Sequence, residues 1–319
     1  MAVYAASSLW AAALVLSLAH WVEPVRLFYL FNFLTIFHYG PTWLRAYGDR
    51  EQRVRERWSL YLFPPAVFAF AWLTRDRPEI LAFITYFWDR WHAVMQNYGF
   101  MRVYDAKAAT STRRRARIDF GLLITASLFL MSLNMGLLAP FMSVLQSIGL
   151  SPLTSVAAVH GLQIALGVVT AIAAAIWLRG LSRVRARQLP RVIFLGCLVA
   201  GHAVMNLTTN IFLLASHEKI YHSLQYVALT WSYGHHRAAR APVAETGPEL
   251  PAIFGPRRWP VYAGLALAWT VLAVLANRAA TNYAASGLFT TLIGGFALCH
   301  YYFDSFLWRV RRPEVRANL

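Results

Sequence analysis

Hydrophobic residues run along this chain in blocks about 20 long, broken by short polar segments rich in arginine, proline and glycine. A block of that length crosses the hydrocarbon core of a bilayer when it is helical. Cutting the chain at its charge clusters, prolines and glycines gives ten candidate spans: 2–22, 25–46, 58–74, 78–103, 118–146, 152–178, 190–215, 217–236, 259–277 and 281–308. The most polar of them, 217–236, reads HEKIYHSLQYVALTWSYGHH. It is expected as an internal or re-entrant helix, because polar groups at depth survive only where protein or water covers them. The pattern therefore predicts an all-α, polytopic membrane helix bundle, one integral membrane domain over 1–319. Eight full spans with two partial helices is the fallback. The opening stretch MAVYAASSLWAAALVLSLAHWV has no basic segment at its head, so it is expected as a first transmembrane helix and not a cleaved leader.

Charge gives an independent test of the count. The connections 45–57, 102–117 and 179–191 each hold five arginines, and 102–117 adds a lysine. The connection 237–258 and the tail 309–316 hold four arginines each. The connections between them, 23–26, 75–77, 147–151, 216–219 and 278–281, carry at most two basic residues. Rich and poor loops alternate without a break, and the positive-inside rule then places both termini in the cytoplasm of, most naturally, a bacterial inner membrane. The segment 237–258 is expected as an irregular cytoplasmic loop lying over a site.

Composition agrees with the pattern. Of 319 residues, 58% are hydrophobic and only 14% charged, against about 25% charged in soluble domains. The formal charge of +16 could suggest nucleic acid. It is spread over the short loops instead of forming one patch, so nucleic acid is not an expected partner and the bilayer is. Cys197 and Cys299 fall inside apolar runs with no partner spacing and read as small buried hydrophobes.

The chemistry lies in the histidines. There are ten, at His20, His38, His92, His160, His202, His217, His222, His235, His236 and His300, all inside or at the edge of a span. A single intramembrane histidine is usually a hydrogen-bonding strut between helices; ten in one chain point further. Four have a polar neighbour one helical turn away: His92 with Gln96, His202 with Asn206, His222 with Glu218, and His300 with Asp304. Metal centres in helix bundles use that arrangement, imidazole and carboxylate donors projecting inward from several helices.

Depth sorts the set. At about 1.5 Å of rise per residue, His92 lies about 15 Å in from Arg102, His300 about 13 Å from Arg309, His38 about 10 Å from Arg45 and His202 about 16 Å from Arg191. Asp304 lies about 7 Å in, and His235 and His236 sit at the rim beside Arg237. His222 comes out at about 22 Å and joins this layer only if its helix is tilted or re-entrant. His20, His160 and His217 fall toward the opposite side and read as structural. The candidate ligands are thus His38, His92, His202, His222, His235, His236 and His300, with Asp304 as ligand or orienting group. Glu218 and Gln96 are candidates for tuning protonation. Imidazoles with a carboxylate and no thiolate suit non-haem iron, one or two ions, before zinc.

Two resemblances bear on this reading. HEKIYH, from His217 to His222, is similar to the H-x4-H box of membrane fatty-acid desaturases and hydroxylases, and GHHR supplies an adjacent pair, although the full three-box set is absent. HYYFDSFLWR, from His300 to Arg309, resembles the C-terminal H-x3-D element of bacterial carotene-cleaving dioxygenases of the bacteriorhodopsin-related-protein type. HYG at His38 and HSLQYVALTW at His222 are similar to others of their elements, while no Asp follows His38 or His92 where that family has one. The resemblance implies an all-helical membrane iron enzyme.

The expectation is a membrane oxidoreductase: a His-ligated non-haem iron oxygenase or oxidase that uses O2 on a lipid-soluble substrate, with an external electron donor if the iron chemistry holds. Its site would open toward the cytoplasm. The alternatives are a proton-coupled transporter with a His/Asp relay and a haem-b electron-transfer protein with two axial histidines.

Overall fold

In the computed structural model, which describes residues 6–180, 186–282 and 286–319, the chain is helical throughout and has no strand among the described residues. The helices in order are α1 Ser7–Leu18, α2 Pro24–Gly48, α3 Arg50–Arg55, α4 Arg57–Leu73, α5 Pro78–Lys107, α6 Arg113–Leu133, α7 Met135–Ser147, α8 Val156–Arg179, α9 Leu189–Leu207, α10 Ile211–Arg240, α11 Val243–Thr246, α12 Glu249–Phe254, α13 Trp259–Asn282, α14 Ser286–Leu307 and α15 Pro313–Asn318. Among the described residues, three helical segments are long and apolar enough to cross a membrane: Arg113–Leu133, Val156–Arg179 and Ala186–Leu207.

The chain forms two compact units, Met1–Phe31 with Val94–His222, and Asn32–Ala93 with Ser223–Leu319. In the first unit α6 packs along α8, and α9 packs on α1 and α6. Local chemistry sets the boundaries. The Thr112 hydroxyl accepts from the Arg115 N–H at 3.2 Å to open α6. Asn134 ends that helix and caps the next, its side chain accepting from Gly136 N–H at 3.0 Å. Ser155 caps α8 through Ala158 N–H at 3.3 Å. Gly201 lets α9 approach α1: a Cβ there would stand 2.9 Å from the Ser8 backbone.

Charge is buried in this unit. Asp119, fully buried on α6, accepts from Arg191 Nη1 at 2.7 Å, from the Trp177 indole N–H at 3.0 Å and from Arg102. Asp105 joins through Arg102 at 3.0 Å and Arg191 at 3.6 Å. These bonds tie α5, α6, α8 and α9, and they turn two loop arginines inward.

The second unit is built on α14. It packs on α4 and α13, through a core of Leu60, Val67, Ala71, Leu81, Cys299, Phe303, Phe306 and Leu307. A Cβ at Gly295 would meet the Phe68 ring at 2.6 Å, and one at Gly294 the Leu81 side chain at 2.8 Å, so paired glycines permit the close packing. Cys299 is a buried free thiol. Pro41 lies inside α2 and Pro64 and Pro65 inside α4. Pro41 has no N–H for the Phe37 carbonyl, which loosens α2 between His38 and Thr42.

The segment 237–258, expected to be irregular, holds α11 and α12. Leu250 and Phe254 are fully buried and pack with Val227 and Tyr262. Ion pairs bind the short helices of this end together. Arg237 meets Asp49 at 2.7 Å and also Glu51, Arg53 meets Glu249 at 3.2 Å, Arg55 meets Glu314 at 2.6 Å, and Arg312 meets Glu56 at 2.6 Å. The cap is fixed to the unit along its whole length.

Candidate metal centre

Four histidines from four helices converge: His38 on α2, His92 on α5, His222 on α10 and His300 on α14. All four are buried, and their ligand atoms lie within 4.8 Å of one another. His38, His92 and His300 belong to the second unit. His222 is the last residue of the first and lies on α10.

The spacing of the nitrogens is that of a coordination shell. His300 Nε2 stands 3.1 Å from His38 Nε2 and 3.2 Å from His92 Nε2. Imidazole nitrogens about 2.0–2.1 Å from one transition-metal ion lie about 2.9 Å apart at a right angle and about 3.4 Å apart at the tetrahedral angle. The observed separations fall between those values.

Tautomers follow from counting protons. The Tyr226 phenol donates to Asp304 Oδ1 at 2.6 Å. The Tyr226 oxygen then accepts from the Thr42 hydroxyl at 2.7 Å and from the Trp308 indole N–H at 3.3 Å. Thr42 has spent its one proton, so the 2.5 Å contact with His300 Nδ1 is an N–H donated by the imidazole. His300 Nε2 therefore carries a lone pair aimed at His38 and His92. His38 is set the same way: its Nδ1 lies 3.4 Å from the Leu34 carbonyl and 3.1 Å from Ser223 Oγ, leaving Nε2 for the centre. Lone pairs at this range repel one another unless a cation or a shared proton lies among them.

A carboxylate faces the same point. Asp304 Oδ2 is 3.7 Å from His92 Nε2 and 3.8 Å from His300 Nε2. Aromatic rings wall the group: Tyr39 against His300 at 4.9 Å, Tyr301 against His92 at 4.8 Å, and Tyr226 edge-on to His300 at 5.1 Å. The Tyr301 hydroxyl donates to Asp89 at 2.9 Å and holds its ring in place. Such a wall keeps the local dielectric low.

Other candidates lie elsewhere. His202 Nε2 meets the Tyr221 hydroxyl at 2.8 Å in the first unit, next to His217, whose Nε2–H donates to the Ser8 carbonyl at 2.9 Å. His235 donates from Nδ1 to the Phe254 carbonyl at 3.1 Å, and His236 to the Asn318 carbonyl at 3.0 Å, both securing the cap. His202, His235 and His236 lie outside the four-histidine group.

The amide neighbours also turn away. Gln96 donates to the His222 carbonyl at 3.1 Å and Asn206 to the His202 carbonyl at 2.9 Å, so each fixes backbone and not a ring. Glu218 stands one turn before His222 on α10, outside the group. His20 bonds the Leu16 carbonyl at an exposed position, and His160 is exposed.

Sequence reasoning missed Thr42, Ser223 and Tyr226. A signal existed: Thr42 is four residues after His38 and Tyr226 four after His222, the same turn that singled out the amides and carboxylates. Comparison with family models, curated proteins and solved structures finds no match to this chain.

Proposed function

We propose that this protein is a membrane-embedded oxygenase or oxidase whose non-haem iron is held by His38, His92, His222 and His300 and which acts on a lipid-soluble substrate. The observation that carries the reading is the convergence of four buried histidines, with the Nε2 atoms of His38, His92 and His300 at 3.1 and 3.2 Å. The donor set fits a redox metal: neutral imidazoles with one carboxylate at hand and no thiolate, which suits iron. Bound iron would supply O2 activation for hydroxylation, desaturation or oxidative cleavage, with electrons from an external donor.

The chain's own residues do the rest. Thr42, Ser223 and the Leu34 carbonyl hold the imidazoles in the liganding tautomer. Asp304 places a carboxyl oxygen beside the nitrogens and accepts the Tyr226 hydrogen bond. Tyr39, Tyr226 and Tyr301 exclude water, which protects a reactive centre from side reactions. Ten spans, with both termini and the site's mouth on the cytoplasmic side of a bacterial inner membrane, complete the proposal.

The chain of bonds from Asp304 through Tyr226 and Thr42 to His300 favours a second reading, a proton relay in a transporter.

Elemental analysis of the detergent-purified protein, with an optical spectrum of the same sample, separates these readings. Iron at one or two atoms per chain without a Soret band is expected. Protein that stays metal-free after growth in iron-supplemented medium would sink the oxygenase reading, and uptake assays in vesicles would then test the relay.

A further inference from the structure

We infer that Thr42 is a positioning residue for the metal centre: its hydroxyl, aligned by Tyr226, fixes His300 in the Nδ1–H tautomer and so makes Nε2 the liganding atom. The inference rests on the metal reading above for its consequence, but its structural half stands on the hydrogen bonds alone.

A buried imidazole has two tautomers, and only one points a lone pair at the centre. The partner of the other nitrogen decides which is present. For His300 that partner is Thr42 Oγ1 at 2.5 Å, and a hydroxyl is an ambiguous partner because it can donate or accept. The ambiguity is removed one bond further on. Thr42 donates to the Tyr226 oxygen at 2.7 Å, and the phenol in turn donates to Asp304 Oδ1 at 2.6 Å. Trp308, which can only donate, also points at the Tyr226 oxygen, at 3.3 Å, and favours that direction. With Thr42 and His300 both fully buried, no bulk water competes for the bond.

The chain closes on itself. His300 and Asp304 are one turn apart on α14, Thr42 is on α2 and Tyr226 on α10. A single ring of bonds thus sets the tautomer of one ligand and holds the carboxylate beside it. Removing the Tyr226 hydroxyl frees the Thr42 proton to turn onto His300 Nδ1. The imidazole proton then moves to Nε2 and blocks the metal-facing atom.

The test compares Thr42→Val, Thr42→Ser and Tyr226→Phe with the parent protein. One readout is affinity for Fe(II), and for Zn(II) as a redox-inert probe, by competition with a chelator. The other is the histidine 15N spectrum of the metal-free protein, in which protonated and unprotonated ring nitrogens are resolved and His300→Gln identifies the His300 signals.

Thr42→Val is expected to weaken metal binding by about 10–100-fold, the usual effect of deleting a hydrogen-bond partner of a ligand. Thr42→Ser should restore it, and Tyr226→Phe should shift His300 toward the Nε2–H form. Thr42→Val that binds both metals as the parent does, with the His300 tautomer unchanged, would overturn the inference. A parent protein that binds neither metal would instead overturn the metal reading, while the 15N spectra would still decide the role of Thr42.

Discussion

The hydrogen-bond partner of each imidazole separates the histidines of this chain more sharply than their depth does. His38 and His300 give a Nδ1 proton to an oxygen acceptor and turn Nε2 toward the centre, whereas His217 spends Nε2–H on the Ser8 carbonyl and His202 meets the Tyr221 hydroxyl. Two substitutions follow from this sorting. His300→Ala should lower the metal content of the purified protein severalfold or more and abolish turnover, while the protein still inserts and migrates as a folded species on size exclusion. His202→Ala should leave metal content as it is and cost stability only, because His202 contacts Tyr221 and His217 and not the centre. Metal analysis of both proteins checks the pair, and parallel losses would show that the two histidines act together. Span depth and helical spacing put His38, His92 and His300 in one layer but put His202 there too and left His222 too deep, whereas the structure groups His222 with the three and not His202. The roles of Thr42 and Tyr226 were not legible, because their bonds cross between α2, α10 and α14 and no spacing within one helix reveals them.

Where charge lies along the helices explains why so few of them look like membrane spans by composition. The three segments that do, Arg113–Leu133, Val156–Arg179 and Ala186–Leu207, lie outside the helices that carry the four histidines. Helix α5 alone carries Asp89, Arg90, His92, Gln96, Asn97, Arg102 and Asp105, which depress its hydropathy although Asp89, Gln96, Arg102 and Asp105 have partners on other helices. The same logic gives a stability test in the first unit. Asp119→Ala leaves Arg191 and Arg102 without their main buried acceptor, and breaking one side of a buried pair costs about 3–5 kcal/mol. A clear fall in the melting temperature in detergent is expected; an unchanged melt would mean that water or another group satisfies the arginines. At the cap, burial would raise the Glu314 carboxyl, but a backbone bond and the Arg55 and Arg312 guanidinium groups outweigh it and hold it below the ordinary range. A carboxyl depressed in the folded state stabilises above its unfolded pKa, and that support disappears as pH falls through the lower, folded value. Limited proteolysis should therefore cut near α15 more readily in acid, and Glu314→Gln should show the same cutting already at neutral pH. Equal protection of the variant at neutral pH would show that apolar packing of Val315 holds the helix without the ion pair.

At the scale of the whole molecule, helix composition marks three segments among the described residues as able to span a membrane, and loop charge is the ground for the ten spans proposed. A helix whose polar face meets other helices can span the membrane with a low mean hydropathy, since only its lipid face must be apolar. Loop charge does not depend on that distinction: 45–57, 102–117, 179–191 and 237–258 are arginine-rich, and the connections between them are not. Some of this charge is held inside the protein, as Arg191 and Arg237 are, yet Arg57, Arg113, Arg114, Arg257 and Arg258 remain exposed and available to an anionic leaflet. Single cysteines at exposed loop positions, in a chain with Cys197 and Cys299 replaced by alanine, read the topology directly. With ten spans, Asp76→Cys and Ser151→Cys should react with a membrane-impermeant maleimide from the outer face of intact spheroplasts. Ala109→Cys and Glu245→Cys should react only after the membrane is permeabilised. Labelling of Ser151→Cys and Glu245→Cys from the same face would break the alternation and remove a span between them. The four histidines would remain together, but the proposed cytoplasmic mouth of their site would have to be reassigned.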